Sequence, residues 1–216
     1  MRAGNYSYVN AQDLPDTIAI FPLAGALLLP GGQMPLNIFE PRYLEMVDEA
    51  MRTHRIIAMI QPALDGSENG LCHMGCLGRI VSLTETGDGR YHVALAGICR
   101  FRLIEELAAK TPWRQARILP MLADLEAADG KDVDRQSLLK AFKAYLQANG
   151  MEADWESVTR ADNAVLVNAL SMMSPYGPAE KQALLEAADL KSRAETLVAI
   201  TEIMLARNGD AGSTLQ

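Results

Sequence analysis

The sequence predicts an α+β protein in which strands come first and helices follow. In the first half, short apolar runs are separated by glycine and proline turns, which is typical of β-strands. In the second half, apolar residues recur every three or four positions, which is typical of amphipathic helices. The composition changes near Ala123, where acidic residues gather around Gly130, so we place the boundary between the two halves there.

The strand-rich half predicts a small closed or half-closed barrel, because closure removes exposed sheet edges. A hairpin is expected around Asp88-Gly89, since glycine tolerates a positive φ without steric cost. The predicted strands are Ile18–Leu23, Met34–Ile38, Arg55–Gln61, Cys76–Thr86, Arg90–Ala96, Cys99–Leu107 and Trp113–Pro120.

One helix interrupts the strands. It is predicted from Pro41 to Arg52, because proline suits the first helical position, where its fixed φ helps and its missing N–H is not needed. An apolar residue recurs every fourth position and forms one face of this helix. These residues are Phe39, Tyr43, Val47 and Met51.

The second half contains five helical patterns. Asp154 and Asp189 are suited to N-caps, and Gly150 and Gly209 to left-handed C-caps. The predicted helices are Val133–Asn149, Trp155–Arg160, Asn163–Met173, Pro178–Ala187 and Leu190–Asn208. The expected organisation is a flexible leader (1–16), a β subdomain (17–122), a linker (123–132), a helical bundle (133–208) and a disordered tail (209–216).

Composition excludes several classes of protein. Of the 216 residues, 49% are apolar and 22% charged, which is the globular range. A net charge of −7 argues against non-specific nucleic-acid binding, which needs lysine and arginine to neutralise phosphates. The longest apolar stretch is broken by Pro22 and Gly25, and the first residues lack the apolar core of a secretory signal. We therefore expect a cytoplasmic protein without a membrane segment.

The sequence contains no motif that carries chemistry. The spacing Cys72-His73-x-x-Cys76 does not fit a zinc-binding pair, and an odd number of cysteines predicts reduced thiols. A phosphate-binding loop, a nucleophile elbow and an H-E-x-x-H motif are all missing from the sequence. We therefore predict no catalytic residue, no metal and no cofactor.

Several segments together resemble a known family. The strongest is Ile38-Phe39-Glu40-Pro41-Arg42-Tyr43, supported by Phe21-Pro22-Leu23, Leu29-Pro30-Gly31, 75–80, 89–97, 98–103 and 180–186 with Arg193. Over about Thr17 to Leu205 the chain resembles the Lon N-terminal (substrate-binding) domain family. That resemblance implies a PUA-like β pseudobarrel with one inserted helix, followed by a helical bundle.

The resemblance also implies a function. It suggests a stand-alone, non-catalytic module that recognises unfolded or tagged polypeptides and lacks the ATPase and peptidase parts of a Lon protease. Such a module could serve as an adaptor in protein quality control or regulated proteolysis, with a AAA+ protease as a partner.

The segment from Leu27 to Met34 is the candidate binding site, with two interpretations. It is either a buried strand that ends in a turn or part of an exposed groove for apolar peptides. Arg42 and Tyr43 either face this groove or anchor the helix, with Arg42 pairing with Glu45 or capping a loop carbonyl. The candidate residues are Leu27, Leu28, Leu29, Pro30, Met34, Arg42 and Tyr43.

Two other functions remain open from the sequence. PUA-like folds often bind RNA, and four arginines group near one predicted sheet, although three glutamates flank them. A small-molecule site or an enzyme between barrel and bundle is the other alternative. The arginines are Arg79, Arg90, Arg100 and Arg102, and the glutamates are Glu85, Glu105 and Glu106.

Overall fold

The computed structural model of the chain describes residues 1–67, 69–126 and 130–213, with side chains described as far as residue 207. The chain forms two compact units. The first contains Met1–Ala127 and Pro175–Leu185, and the second contains Ala128–Ser174 and Glu186–Gln216. The first unit is therefore built from two separate stretches of sequence.

The secondary structure follows the predicted order. The strands are β1 (Arg2–Ala3), β2 (Tyr6–Ser7), β3 (Thr17–Pro22), β4 (Gln33–Ile38), β5 (Ile56–Pro62), β6 (Leu71–Glu85), β7 (Tyr91–Leu107) and β8 (Gln115–Pro120). The helices are α1 (Pro41–Arg52), α2 (Arg135–Ala148), α3 (Trp155–Arg160), α4 (Asn163–Met173), α5 (Pro178–Glu186) and α6 (Leu190–Ser213), with 3₁₀ turns at Ala11–Asp13 and Leu122–Leu125.

Five strands of the first unit close into a barrel-like sheet. Their order is β7-β6-β5-β3-β8, and β8 pairs back onto β7 to complete the ring. The β3–β5 pair is parallel, and the other pairs are antiparallel. β4 pairs with the first part of β7, outside the closed ring. The prediction of an α+β fold with a strand barrel and helices is thereby confirmed.

β7 is a single strand of 17 residues, where the sequence predicted two strands broken at Gly97. Gly97 does not end the strand; it makes room for another segment. A Cβ at this position would lie 2.0 Å from the Leu29 carbonyl oxygen. The Gly31 N–H donates to the Gly97 carbonyl (3.0 Å), and the Gly97 N–H donates to the Gly32 carbonyl (2.9 Å). Gly31 has φ +77, so the arrangement is a β-bulge of the type that requires glycine.

Buried apolar side chains from every strand of the ring fill the barrel interior. Phe101 is 0% exposed and fits only because β6 carries glycine opposite it, since a Cβ at Gly75 would lie 2.4 Å from the Phe101 ring. Other buried members of this core are Ile18, Ile20, Ile56, Ile60, Leu77, Ile98 and Ile118.

The first 16 residues differ from the expected flexible leader. They form β1, β2 and a 3₁₀ turn, and Ala3 and Tyr8 are each 1% exposed within the barrel core. Leu14 is also buried in that core. Single apolar residues among polar ones give no periodic pattern over so short a stretch, which is why the sequence did not reveal this packing.

Helix α5 is held to the barrel by polar side chains. The Gln61 amide donates to the Pro178 carbonyl (2.9 Å) and to the Gln182 side chain (3.0 Å), and its oxygen accepts from the Gly25 N–H (2.8 Å). The Lys181 ammonium donates to the Gly25 carbonyl at 2.8 Å. Because Gln61 is 2% exposed, these bonds are needed to satisfy a buried amide.

A buried ion pair lies beside α5. The Arg100 guanidinium donates to both carboxylate oxygens of Asp124, each at 2.8 Å, and to the Leu185 carbonyl at 3.1 Å. The exposed fractions of the two charged side chains are 4% and 12%. The Arg100 side chain is buried here because the end of α5 lies against it.

In the second unit, side chains and turns fix the ends of the helices. Asp134 and Asp154 accept hydrogen bonds from backbone N–H groups of the first turns of α2 and α3. Gly150 has φ +62 and ends α2 as predicted. α6 continues to Ser213, so Gly209 does not end it, and of the predicted disordered tail, 214–216 lies outside the described residues.

We predict that Gly97→Ala destabilises the barrel. The added methyl group would overlap the Leu29 carbonyl, and the backbone on both sides would have to move. Overpacking of this kind lowers the free energy of unfolding by about 1–3 kcal/mol. Urea unfolding followed by circular dichroism measures the change.

Gly87→Ala is the matched control. No heavy atom lies within 4 Å of a Cβ at this position. The free energy of unfolding should stay the same or rise by less than about 1 kcal/mol. Equal losses from both substitutions would show that the close approach at Gly97 is not what constrains the fold.

A second prediction concerns the buried ion pair. Asp124→Ala leaves the Arg100 charge buried without its carboxylate, which should lower the free energy of unfolding by about 3–5 kcal/mol. Glu105→Ala removes the carboxylate from the exposed pair with Arg117 and should cost less than about 1 kcal/mol. A loss for Asp124→Ala no larger than for Glu105→Ala would contradict this account. Thermal and urea unfolding of the two variants make the comparison.

Candidate functional site

The three leucines of the predicted binding segment are core residues. Leu27 and Leu28 are each 2% exposed, and Leu29 is 0% exposed. Consecutive leucines can all be buried here because glycines of β6 and β7 have no side chain and leave space for them. A Cβ at Gly78 would lie 2.8 Å from a Leu28 methyl carbon. The placement corresponds to a buried segment that ends in a turn, and these side chains offer no surface for a groove.

Pro30 and Met34 are placed differently from the leucines. Both are half-buried, and Met34 lies opposite Leu95 in the β4–β7 pair. Met34 and Leu36 point to the same face of β4, whereas Gln33 alternates to the exposed face. Of the predicted segment, this part retains accessible apolar surface.

Arg42 and Tyr43 anchor the start of α1. The Arg42 guanidinium pairs with the Glu40 carboxylate at 2.7 Å, so the expected partners, Glu45 or a loop carbonyl, are not the ones it uses. Its guanidinium carbon lies 4.5 Å from the centroid of the Tyr43 ring. Tyr43 is 8% exposed and meets Phe21 edge to face at 4.4 Å, and burial raises the pKa of its hydroxyl.

Phe39 departs from the predicted apolar face of α1. It precedes the helix and is 61% exposed, with the Arg90 guanidinium 5.9 Å from its ring centroid. Met51 is half-buried. The buried residues of α1 are Tyr43, Met46, Val47 and Ala50.

β4 is an edge strand, a feature that the sequence analysis did not identify. It pairs with β7 on one side only within the described sheet. The hydrogen bond from the Gly97 N–H to the Gly32 carbonyl shows which residues of β4 direct their backbone N–H and C=O groups towards β7. Every second residue does so, and the backbone groups of Gln33, Pro35 and Asn37 therefore point away from β7. All three residues are exposed. Pro35 was the available signal, because proline inside a strand pattern marks an edge strand.

The four arginines considered for RNA binding do not form a basic stripe. Arg100 is buried against Asp124, and Arg90 pairs with Asp88 at 3.0 Å. Arg79 donates to the Tyr8 hydroxyl (3.1 Å) and the His54 carbonyl (3.2 Å). Carboxylates therefore pair with two of the four arginines, and the structure gives the RNA alternative no support.

The thiols are buried, and the described part of the chain brings no cluster of metal ligands together. Cys72, Cys76 and Cys99 are all buried, and burial raises the pKa of Cys99 to about 12, which keeps its thiol protonated. Among the described residues, no three His, Cys, Asp or Glu side chains converge as a metal site would require. The described helices also include none with the length and apolar character of a bilayer span.

The closed barrel, its edge strand and the following helices define a domain of the Lon N-terminal class. The model of the ATP-dependent protease La (LON) substrate-binding domain family matches residues 17–202, and the chain belongs to this family. One similar solved structure is a Lon N-terminal domain protein from Xanthomonas campestris, with a TM-score of 0.64 and 23% identity over 85% of this chain and 97% of that one. Another is the N-terminal domain of a Mycobacterium avium complex Lon protease, with a TM-score of 0.66 and 18% identity over 86% of this chain and 98% of that one. At these identities the likeness concerns the fold.

Curated relatives are full Lon proteases. Lon protease 2 of Myxococcus xanthus is 28% identical over 197 residues, which cover 86% of this chain and 23% of the relative. Lon protease of Parabacteroides distasonis is 31% identical over 200 residues, covering 88% of this chain and 24% of the relative. The chain thus spans about a quarter of the length of the proteases that it matches.

Substitutions in the segment from Leu27 to Met34 should lower the free energy of unfolding more at core positions than at surface positions. Leu28→Ala should lower the free energy of unfolding by about 2–5 kcal/mol, because it removes a fully buried side chain. Met34→Ala, at a half-buried position, should cost less than about 1.5 kcal/mol. Chemical unfolding of both variants tests the assignment, and similar costs would show that Leu28 is not buried as described.

Proposed function

We propose that this chain binds extended segments of unfolded or tagged polypeptides and contributes binding rather than catalysis to Lon-type proteolysis. Membership of a family named for substrate binding supports the proposal. The relatives' names identify them as proteases, and the matched region is the N-terminal class of domain and not their whole length.

The open edge of β4 is the observation that carries the proposal. Its outward backbone offers N–H donors at Gln33 and Asn37 and carbonyl acceptors at Gln33, Pro35 and Asn37. An extended peptide can pair with these groups as an added strand, which gives affinity without demanding a particular sequence. Such tolerance suits a module that recognises many unfolded chains.

Apolar side chains beside this edge would add to the binding. Met34 and Leu36 are half-buried on one face of β4, and Phe39 is 61% exposed just beyond its end. A methionine adapts its shape to different apolar partners. Pro35 limits the edge to two outward donors, which discourages permanent pairing between copies of the chain while leaving it open to transient partners.

The wider role follows from the same binding. We propose that the chain acts in the cytoplasm as an adaptor in protein quality control or regulated proteolysis and delivers its clients to a AAA+ protease. Crosslinking in the native cell, followed by identification of captured proteins, tests this role. Capture of a single metabolic enzyme in place of a protease and its clients would contradict it.

Asn37→Pro tests the β4 edge. The substitution removes one outward N–H, while the hydrogen bonds to β7 come from neighbouring positions. We expect binding of a fluorescently labelled, reduced and carboxymethylated unfolded protein to weaken about five- to tenfold, since one hydrogen bond is lost. Fluorescence anisotropy measures the affinity.

Asn37→Ala is the matched control, because it shortens the side chain and keeps the N–H. Its affinity should equal that of the unchanged protein, and the thermal midpoints of both variants should stay close to it. If the two variants bind equally well, the peptide does not pair with β4. If the unchanged protein fails to bind the unfolded probe, the proposed function itself is wrong.

A further inference from the structure

A pocket of about 250 Å³ lies at the other end of α1, where the helix leads into β5. It belongs wholly to the first unit and is distinct from the β4 edge. Its walls are formed by the N-terminal hairpin, the loop after α1 and one residue of β6. The lining residues that matter here are Tyr6, Tyr8, Asp13, His54, Arg55 and Arg79.

Arg79 is half-buried in this pocket and has unused donors. A guanidinium has five N–H groups. Three of them are used by the Tyr8 hydroxyl, the His54 carbonyl and the Asn5 side chain. The other two have no acceptor within the described residues, and Arg79 forms no ion pair there. The Tyr6 ring lies 5.4 Å from its guanidinium carbon and helps to hold it in place.

Arg55 adds a second cation and adopts an unusual backbone conformation. Among the described non-glycine residues, it is the one with a positive φ, at +60. Most residues other than glycine and asparagine adopt this backbone conformation at an energetic cost, so an arginine here is less stable than a glycine would be. Its exposed side chain has no ion pair in the described part of the chain. Arg55 therefore brings a second positive charge to the pocket lining at a position where the backbone would favour glycine.

The remaining polar groups suit a planar anion. His54 Nδ1 accepts from the Ile56 N–H at 3.0 Å, so the neutral ring carries its hydrogen on Nε2 and can donate it. Desolvation lowers the pKa of His54 and favours this neutral form. The Asp13 carboxylate is already engaged by the N–H groups of Val9 and Asn10 (2.8 and 3.1 Å). Its negative charge balances part of the positive charge and disfavours a dianion such as phosphate.

We propose that this pocket binds a carboxylate, with Arg55 and Arg79 as its cationic partners and the tyrosine rings as its walls. A volume of about 250 Å³ holds one small organic acid or the last residue of a peptide. The carboxylate comes either from a free small acid or from the C-terminus of a polypeptide. The proposal is independent of peptide pairing with β4.

Arg55→Gly is the decisive variant, because it removes the charge and relieves the backbone strain at once. We expect the thermal midpoint to stay the same or rise, while the affinity for carboxylates falls by about tenfold or more. Arg79→Lys keeps the positive charge, but a lysine cannot form a bidentate contact with a carboxylate, so this variant should also bind carboxylates more weakly. Arg117→Gln, which removes an exposed arginine on β8, should have no effect on affinity.

The probes are sodium benzoate, inorganic phosphate, and an acetylated tetrapeptide ending in tyrosine with either a free or an amidated C-terminus. NMR titration follows the backbone amides of residues 54–56 and the Nε–H signal of Arg79. Saturable binding of benzoate alone identifies a small acid as the ligand, and tighter binding of the free peptide than of its amide identifies the C-terminus. The proposal is wrong if the protein binds phosphate more tightly than the carboxylates, or if no probe binds. It is also wrong if both peptide forms bind equally well and benzoate does not bind, or if Arg55→Gly leaves the affinity unchanged.

Discussion

The close approach of the Leu29 carbonyl to Gly97 is the constraint on which the first unit depends. Gly97 lies where β7 changes partners, because β4 pairs with it before this point and β8 pairs with it afterwards. The crossing segment buries its leucines there and then turns through Gly31 into the edge strand. One position without a side chain thus permits a filled barrel, a continuous long strand and an open edge outside the ring.

Buried polar contacts hold α5 in the same unit. Arg100 and Asp124 satisfy one another, and the arginine also caps the end of α5 through the Leu185 carbonyl. Gln61 bonds both the helix and the loop that follows β3. Ion pairs and amides of this kind add little net stability compared with apolar packing, but they penalise any arrangement that leaves them unpaired. Their effect is to specify where α5 lies.

Much of the fold could be predicted from the sequence, whereas little of the candidate site could. The bounds of α1, α3 and α4 were predicted to the residue, because proline, aspartate and apolar periodicity all mark them. Gly97 was misinterpreted as the end of a strand, since a glycine required for close packing has the same local pattern as one that ends a strand. Short segments without periodicity, such as the first 16 residues, show their packing only through distant partners.

The candidate sites depend on the same long-range information. The edge position of β4 follows from the order of the strands in the sheet, and no local sequence pattern encodes that order. Pro35 was the one local sign of an edge strand. Arg55 carries no motif, and only its backbone conformation separates it from other surface arginines. The leucine run allowed two interpretations, a buried strand or an exposed groove, and its burial depends on glycines about 50 and 70 residues further along the chain.

The division of the chain into units has a consequence for how the protein is made. The first unit needs Pro175–Leu185, yet the ribosome synthesises Ala128–Ser174 before that stretch. Domains generally fold as they emerge from the ribosome, N-terminal parts first. Here the five barrel strands are complete by Pro120, but Gln61 and Arg100 lack their α5 partners until Ala128–Ser174 has also been synthesised. Translation therefore delays the packing of α5 in the first unit until the first stretch of the second unit has been made.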